Sequence, residues 1–261
     1  MKMKVSAIIE ARMSSSRLPG KVLKKISNKE ILKMIIERVQ SSKKIDKIVV
    51  ATTTDKKDDK IVSFLKKIKI PYYRGSVNNV LQRIINCAEK FKINNILRIT
   101  GDNPLTDYFL IDHLISYFEN NRKFDYITNN HFADKDKRII AYGLDLSLFS
   151  LKSLKQVKKL TKKDSVFQEY PTLYFHTKGK RKFKTTNINY PKKLIIGNKY
   201  RLTVDTVQDL KFFKKLFNEY FKSYKKNDYI YLSRLNKILK KKPSLVKLNQ
   251  DIVHFIPTSN S

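Results

Sequence analysis

Sulfur crosslinks are excluded at once. In 261 residues there is one cysteine, Cys87, so no intramolecular disulfide can form, which suits a reducing compartment. Long apolar runs are missing as well. No window approaches the roughly 20 apolar residues that span a bilayer, and MKMKVSAIIEARM holds too short an apolar run for a signal peptide. The four histidines, His113, His131, His176 and His254, show no metal-ligand spacing, and a lone cysteine cannot build a thiolate zinc cluster. No nucleophile–histidine pair is suggested either. These absences predict a soluble, cytoplasmic chain that buries its core without crosslinks or structural metal.

Acidic residues are also scarce, 23 against 56 basic ones, for a formal charge of +33. Such a charge raises a nucleic-acid hypothesis. The basic residues argue against it: eleven are arginine and 45 are lysine, whereas readers of bases and phosphates lean on arginine's planar fork. AT-rich coding bias would give the same mixture of Lys, Ile, Asn and Tyr. The excess therefore reads as bias on solvated helix faces, with no specific nucleic-acid partner. An anionic partner such as a nucleotide, a membrane surface or RNA is the alternative.

What is present is alternation. KVSAIIE (4–10), KIVVAT (47–52), IPYY (70–73), NILRIT (95–100) and FDYIT (124–128) read as short buried strands. Between them lie helical patterns at 31–40, through KIVSFLKKI, over about 78–91 and over about 107–120. Ser27-x-x-Glu30 and Asp55-x-x-Asp58 look like capping boxes opening the first two. YRLTVD (200–205) returns to strand character and TVQDLKFFKKLFNEYF follows as an amphipathic helix. The order predicts an α/β fold, a mainly parallel sheet with helices on both faces. Residues 131–190 read as an irregular inserted subregion, an excursion from the sheet where a homodimer contact could fall. The division expected is one α/β domain over 1–225, then a C-terminal helix and polar tail over 226–261.

Ligands of such sheets bind beyond the carboxyl ends of the strands, and three loops there carry chemistry. In 11–21, Arg12, Arg17 and Lys21 surround Ser14, Ser15 and Ser16, and Pro19-Gly20 can turn Lys21 back into the loop. Hydroxyls, backbone N–H groups and cations together suit phosphate, although a solvated basic turn has the same composition. In RITGDNPLTD, a strand delivers Asp102 to its end, where a carboxylate can hold Mg²⁺ beside a triphosphate. The alternative is a turn closed by Asp102 itself, with Arg98 as a structural ion-pair partner. In RLTVDTVQDL, Thr206-x-x-Asp209 is a capping box that gives Asp209 a sufficient job, on the scale of about 0.5–2 kcal/mol. Asp205 has no such local duty and could complete the magnesium site. Cys87 and His113 read as helix-face packing residues.

ARMSSSRLPGKVL, RGSVNNVLQR, RITGDNPLTD, GLDLSLFS and TVDTVQDL, in that order, resemble the spore-coat-polysaccharide type of cytidylyltransferase. That type is a branch of the CMP-sugar synthetases, and the resemblance covers about residues 4–215. It implies a Rossmann-like three-layer sandwich of the nucleotide-diphospho-sugar transferase type, CTP and a sugar or sugar acid as substrates, and Mg²⁺ as cofactor. By position, Ala11, Arg12 and Ser14 would approach the nucleotide while Arg17 and Lys21 hold its phosphates. Arg74, Gly75 and Ser76 would lie near base and ribose, and Asp102 and Asp205 would hold the metal.

The chain departs from the family pattern in places. Ser14 stands for a glycine, Asn78, Asn79 and Gln82 for acidic residues, and QEYPTLY (168–174) for REHVTPY, with Tyr170 in the histidine's place. Ser14 bears on the backbone's approach to the phosphates and the others on the acceptor, and together they leave room for a member with altered or lost activity. Rival readings are a glycosyltransferase of related fold, whose Asp-x-Asp motif has a counterpart only at Asp134-x-Asp136 in a lysine-rich loop, and a catalytically silent nucleotide- or anion-binding protein.

Overall fold

The alternation of apolar runs and amphipathic helices is realised in a computed structural model, which describes residues 4–129, 138–162, 164–191, 196–225 and 229–253. Its strands are β1 (Val5–Glu10), β2 (Lys25–Ile26), β3 (Lys29–Glu30), β4 (Ile45–Thr53), β5 (Tyr72–Gly75), β6 (Asn95–Thr100), β7 (Tyr126–Thr128), β8 (Ser147–Ser150) and β9 (Thr185–Asn187). The first helices are α1 (Ile31–Gln40), α2 (Asp59–Lys67), α3 (Val80–Lys90), α4 (Tyr108–Asn120) and α5 (Leu151–Leu160). After them come α6 (Ser165–Glu169), α7 (Leu173–His176), α8 (Val207–Ser223), α9 (Leu232–Lys241) and α10 (Pro243–Val246).

Seven strands form one sheet in the order β5-β4-β1-β6-β8-β7-β9. β5, β4, β1 and β6 run parallel, so Glu10, Thr53, Gly75 and Thr100 finish along one edge. Alternation along β1 sends Val5, Ala7 and Ile9 into a core shared with α1, α2, α4, α8 and α9. Ile8 faces a second core built with α3, α5, α6 and α7. The result is the expected Rossmann-like three-layer α/β sandwich. Cys87 lies in the second core, fully buried, and that burial pushes its thiol up to about 12.

Three local expectations need correction. Ser27 and Asn28 both have positive φ and form the two-residue turn of the β2–β3 hairpin, so no capping box opens α1; Glu30 stands at its N-cap without a side-chain bond. Residues 131–190 do not simply leave the sheet. β8 inserts antiparallel between β6 and β7, and β9 joins parallel to β7. These strands are only four and three residues long, too short to establish a period. Finally, 200–205 runs extended without pairing as a strand: Val204 N–H donates to Asp102 O at 2.8 Å and Leu202 N–H to Tyr142 O at 2.7 Å.

The edge is tight where β6 ends. A Cβ on Gly101 would stand 2.5 Å from the Glu10 carbonyl oxygen and 3.4 Å from the Ala11 Cα. Backbone cannot yield as a flexible side chain can, so Gly101→Ala should destabilise by about 1–3 kcal/mol. Urea unfolding checks this, and an unchanged midpoint would mean that β1 and β6 separate more easily than their packing implies.

Candidate active site at the carboxyl edge of the sheet

The loop after β1 is fixed before it meets any ligand. Ala11 N–H donates to Ala51 O at 3.2 Å, the last sheet-like bond, and Met13 N–H donates to the Asp58 carboxylate at 2.7 Å. Asp58 is buried and also takes the Thr53 N–H and the Thr52 hydroxyl. It was expected as the second half of a capping box; instead it ties the loop after β4 to the loop after β1. Met13 O accepts from Ser15 N–H and Gly20 N–H, Leu18 is buried as an anchor, and Gly20 is left-handed at φ 69°. Lys21 then opens a 3₁₀ turn and faces back into the loop, as the Pro-Gly pair suggested. Ser14 is exposed on the rim.

Lys21 lands between two carboxylates. Its Nζ is 2.6 Å from Asp102 Oδ2 and 2.7 Å from Asp205 Oδ1. Burial disfavours the ammonium, but the two carboxylates outweigh it and hold the Lys21 pKa above its ordinary value. Asp205 Oδ2 meets Arg201 Nη2 at 2.7 Å and Arg17 Nη2 at 3.3 Å. Burial alone would raise the Asp205 pKa; Lys21, Arg17 and Arg201 together depress it. Arg201 also donates through Nε to Asp209 Oδ1 at 2.9 Å. Asp209 accepts in addition from Asn249 and from the Asp205 and Thr206 N–H groups, and burial notwithstanding, Arg201 and Asn249 pull its pKa down. The expected Thr206–Asp209 capping box is present in full.

Around this centre lie further charged and polar groups. Arg98, in the middle of β6, forms a two-pronged ion pair with Glu10 and reaches the Thr172 hydroxyl at 3.5 Å. Burial disfavours its cation, yet Glu10 keeps its pKa above the usual arginine value. Arg12 meets Glu169 of α6 at 3.5 Å, and Asn79 donates to Gln168 at 3.0 Å, so the 168–172 segment touches three of the edge loops or strands. Arg74 is committed to the loop after β4: it donates to Thr53 O and Asp55 O at 2.9 Å each and pairs with Asp59 at 2.7 Å. Ser76 accepts from Asn79 N–H, and buried Arg83 holds the Ser76 carbonyl while its Nε has no partner. A Cβ on Gly75 would meet Tyr73 at 2.7 Å.

The residues read from sequence thus fall into two groups. Arg17, Lys21, Asp102 and Asp205 converge, with Arg12 and Ala11 alongside. Arg74, Gly75 and Ser76 lie at the end of β5, with β4 between them and β1. Glu10, Asp58, Glu169, Arg201 and Asn249 were missed, although an arginine inside the apolar YRLTVD stretch was the same signal that singled out Arg98. Asp209 does more than cap a helix, and Asp205 has the local partner, Arg201, that the sequence did not disclose. His131, Asp134, Asp136 and His254 lie outside the described residues. His113 lies on α4 and meets the Asn189 carbonyl at 3.3 Å.

Among the described residues no group of three His, Cys, Asp or Glu side chains gathers as a metal cage. The donor set nonetheless fits Mg²⁺. Asp102 and Asp205 already aim one oxygen each at a single cation, and Mg²⁺ is commonly held by one or two carboxylates with phosphates and water completing its shell.

A mainly parallel α/β sheet with helices on both faces, and with a cation-lined loop and paired carboxylates at its carboxyl edge, is a Rossmann-like, nucleotidyltransferase-type fold. Comparison makes the class specific. The cytidylyltransferase family profile matches residues 6–238, and the chain belongs to that family. It is 30% identical over 217 residues to the spore coat polysaccharide biosynthesis protein SpsF of Bacillus subtilis, covering 81% of this chain and 85% of that one. A cytidylyltransferase structure from Leptospira borgpetersenii superposes with a TM-score of 0.83 at 33% identity, over 97% of this chain and 100% of that one. CMP:2-keto-3-deoxy-manno-octonic acid synthetase, solved with CTP, shares the fold at a TM-score of 0.61 and 16% identity, over 83% and 99% of the two chains. Among the described residues, no helix is long and apolar enough to cross a membrane.

The buried cluster separates two neighbouring aspartates. Asp209→Asn leaves Arg201 facing an amide and should cost about 3–5 kcal/mol, more than a helix cap. Because the folded-state pKa of Asp209 is depressed, its contribution is complete above about pH 4, the unfolded carboxylate range, and is lost as pH falls through the folded value. Urea midpoints measured across acid pH should therefore fall steeply for the wild type and less for Asp209→Asn. A loss below about 1 kcal/mol at neutral pH would show that the cap is all Asp209 provides.

Proposed function

We propose that this protein is a Mg²⁺-dependent cytidylyltransferase that activates a sugar or sugar acid with CTP, giving a CMP-sugar and pyrophosphate for surface polysaccharide or glycoconjugate synthesis. The observation that carries the reading is the convergence of Arg17, Lys21, Asp102 and Asp205 at the carboxyl edge of the sheet. The reaction is placed in the cytoplasm, where nucleoside triphosphates are available.

In this reading a sugar hydroxyl attacks the α-phosphorus of CTP in line and pyrophosphate leaves. Arg12 and Arg17, both half-exposed and each in a single ion pair among the described residues, turn to the incoming phosphates. Lys21 exchanges a carboxylate for a phosphate oxygen of the leaving group and offsets the charge that develops there. When bound, Mg²⁺ would be held by Asp102 and Asp205 and would orient the α-phosphate and neutralise part of its charge. Ala11 and Ser14 line the nucleotide's approach, and Arg74, Gly75 and Ser76 shape the base and ribose end. The Glu10–Arg98 pair and the Gln168–Thr172 segment, which meet through Arg98 and the Thr172 hydroxyl, are assigned in this reading to the acceptor side.

CTP with Mg²⁺ should raise the melting temperature more than ATP, GTP or UTP. Lys21→Ala should lower the rate of CTP-dependent pyrophosphate release by about 10²–10³, the usual cost of one lost electrostatic contact to a developing charge. Equal shifts with all four nucleotides would leave a triphosphate site and remove the cytidine assignment. A fully active Lys21→Ala enzyme would remove the leaving-group role.

A further inference from the structure

Asp205 is held asymmetrically. Its Oδ1 faces Lys21 and, through it, Asp102, while its Oδ2 is occupied by Arg201 at 2.7 Å with Arg17 beside it at 3.3 Å. Arg201 is itself immobilised: its side chain is 4% exposed, and Asp209, fully buried, accepts from both Nε at 2.9 Å and Nη2 at 3.2 Å. One more group closes the cluster. Asn249, 2% exposed and forty residues beyond Asp209, donates through Nδ2 to Asp209 Oδ1 at 2.9 Å and to the Arg201 carbonyl at 3.1 Å.

A carboxylate on a short side chain can rotate, and each rotation changes which oxygen it offers. Pinning Oδ2 with a rigid, always-charged fork removes that freedom. Asn249 then fixes both the backbone of Arg201 and the carboxylate that orients its fork. The helices that lead to it, α9 and α10, pack into the same core as the α/β sheet through Leu239 and Leu245. The C-terminal segment is therefore continuous with the site it reaches.

We propose that Arg201 and Asn249 are positioning residues for Asp205: Arg201 reserves Oδ2 and turns Oδ1 toward Asp102, and Asn249 makes the C-terminal segment part of the site. The proposal rests on the reading of Asp205 as a Mg²⁺-holding carboxylate. Partners of this kind, one bond removed from a metal ligand, typically change metal affinity or activity by about 10–100-fold when lost.

The test uses Mn²⁺ as a paramagnetic probe, titrated into the full chain with CTP and followed by electron paramagnetic resonance. Asn249→Ala should raise the Mn²⁺ dissociation constant about tenfold or more, and should raise the Mg²⁺ concentration for half-maximal pyrophosphate release in parallel. Its KM for CTP at saturating Mg²⁺ should not change. Asp125→Ala supplies the stability control: Asp125 bonds Lys184 N–H and Ser153 at the start of β7, at the opposite edge of the sheet, and its loss should leave Mn²⁺ affinity unaltered. Arg201→Lys keeps the charge without the fork and should reproduce the Asn249→Ala shift if that variant does not fold. Wild-type Mn²⁺ affinity in Asn249→Ala, or an equal loss in Asp125→Ala, overturns the proposal. Turnover in a wild type that binds no Mn²⁺ overturns it while leaving cytidylyl transfer standing. A wild type with neither binding nor turnover overturns both.

Discussion

Two ionised carboxylates brought together at a half-buried sheet edge repel each other unless a cation stands between them, and here that cation is Lys21. Asp102 arrives at the end of β6, Asp205 at the end of an extended segment hydrogen-bonded to Asp102's own carbonyl, and both oxygens close on one ammonium at 2.6 and 2.7 Å. Removing the lysine would leave like charges facing each other in a poorly solvated pocket. The arrangement constrains much around it. Gly101 must lack a side chain so that β1 and β6 can meet, Gly20 must turn left-handed to reverse the loop, and Asp58 must hold Met13 so that the loop returns. A site neutralised by its own lysine in this way is also ready for exchange, because a polyphosphate offers that lysine the same kind of partner.

The charge of the chain and the charge of the site are different matters. Most of the surplus is lysine, whereas the cations gathered at the sheet edge besides Lys21 are arginines: Arg12, Arg17, Arg98 and Arg201, each opposite a named carboxylate. Local pairing, not bulk charge, describes the functional surface. The side proposed for the acceptor is correspondingly less basic than the composition suggests. Arg98 is committed to Glu10, and Asn79 faces Gln168 as one neutral amide against another.

Much of this was legible from residue order. The strands β1, β4, β5, β6 and β7 and the helices α1, α2, α3, α4 and α8 follow from apolar period and length, and the parallel edge follows from their alternation. Ser27-x-x-Glu30 misled because the same residues also make a two-residue hairpin turn, and tertiary pairing of Lys25 with Glu30 decides between the two. β8 and β9 were illegible because a strand of three or four residues in the middle or at the far edge of a sheet is defined by its neighbours. In the site, Lys21, Asp102 and Asp205 could be singled out by position at strand ends. Asn249 could not, since it meets Arg201 and Asp209 only when segments forty or more residues apart are folded together.

The central claim is that this corner of the sheet transfers the cytidylyl group of CTP to a sugar hydroxyl. Isotopic labelling tests it most directly: CTP labelled at the α-phosphorus, and separately at the γ-phosphorus, is incubated with the protein, Mg²⁺ and a panel of sugars and sugar acids. The account predicts that the α label appears in a CMP-sugar while the γ label leaves as pyrophosphate, one for one. Release of the γ label as inorganic phosphate, or an α label that never leaves CTP with any acceptor, would contradict it.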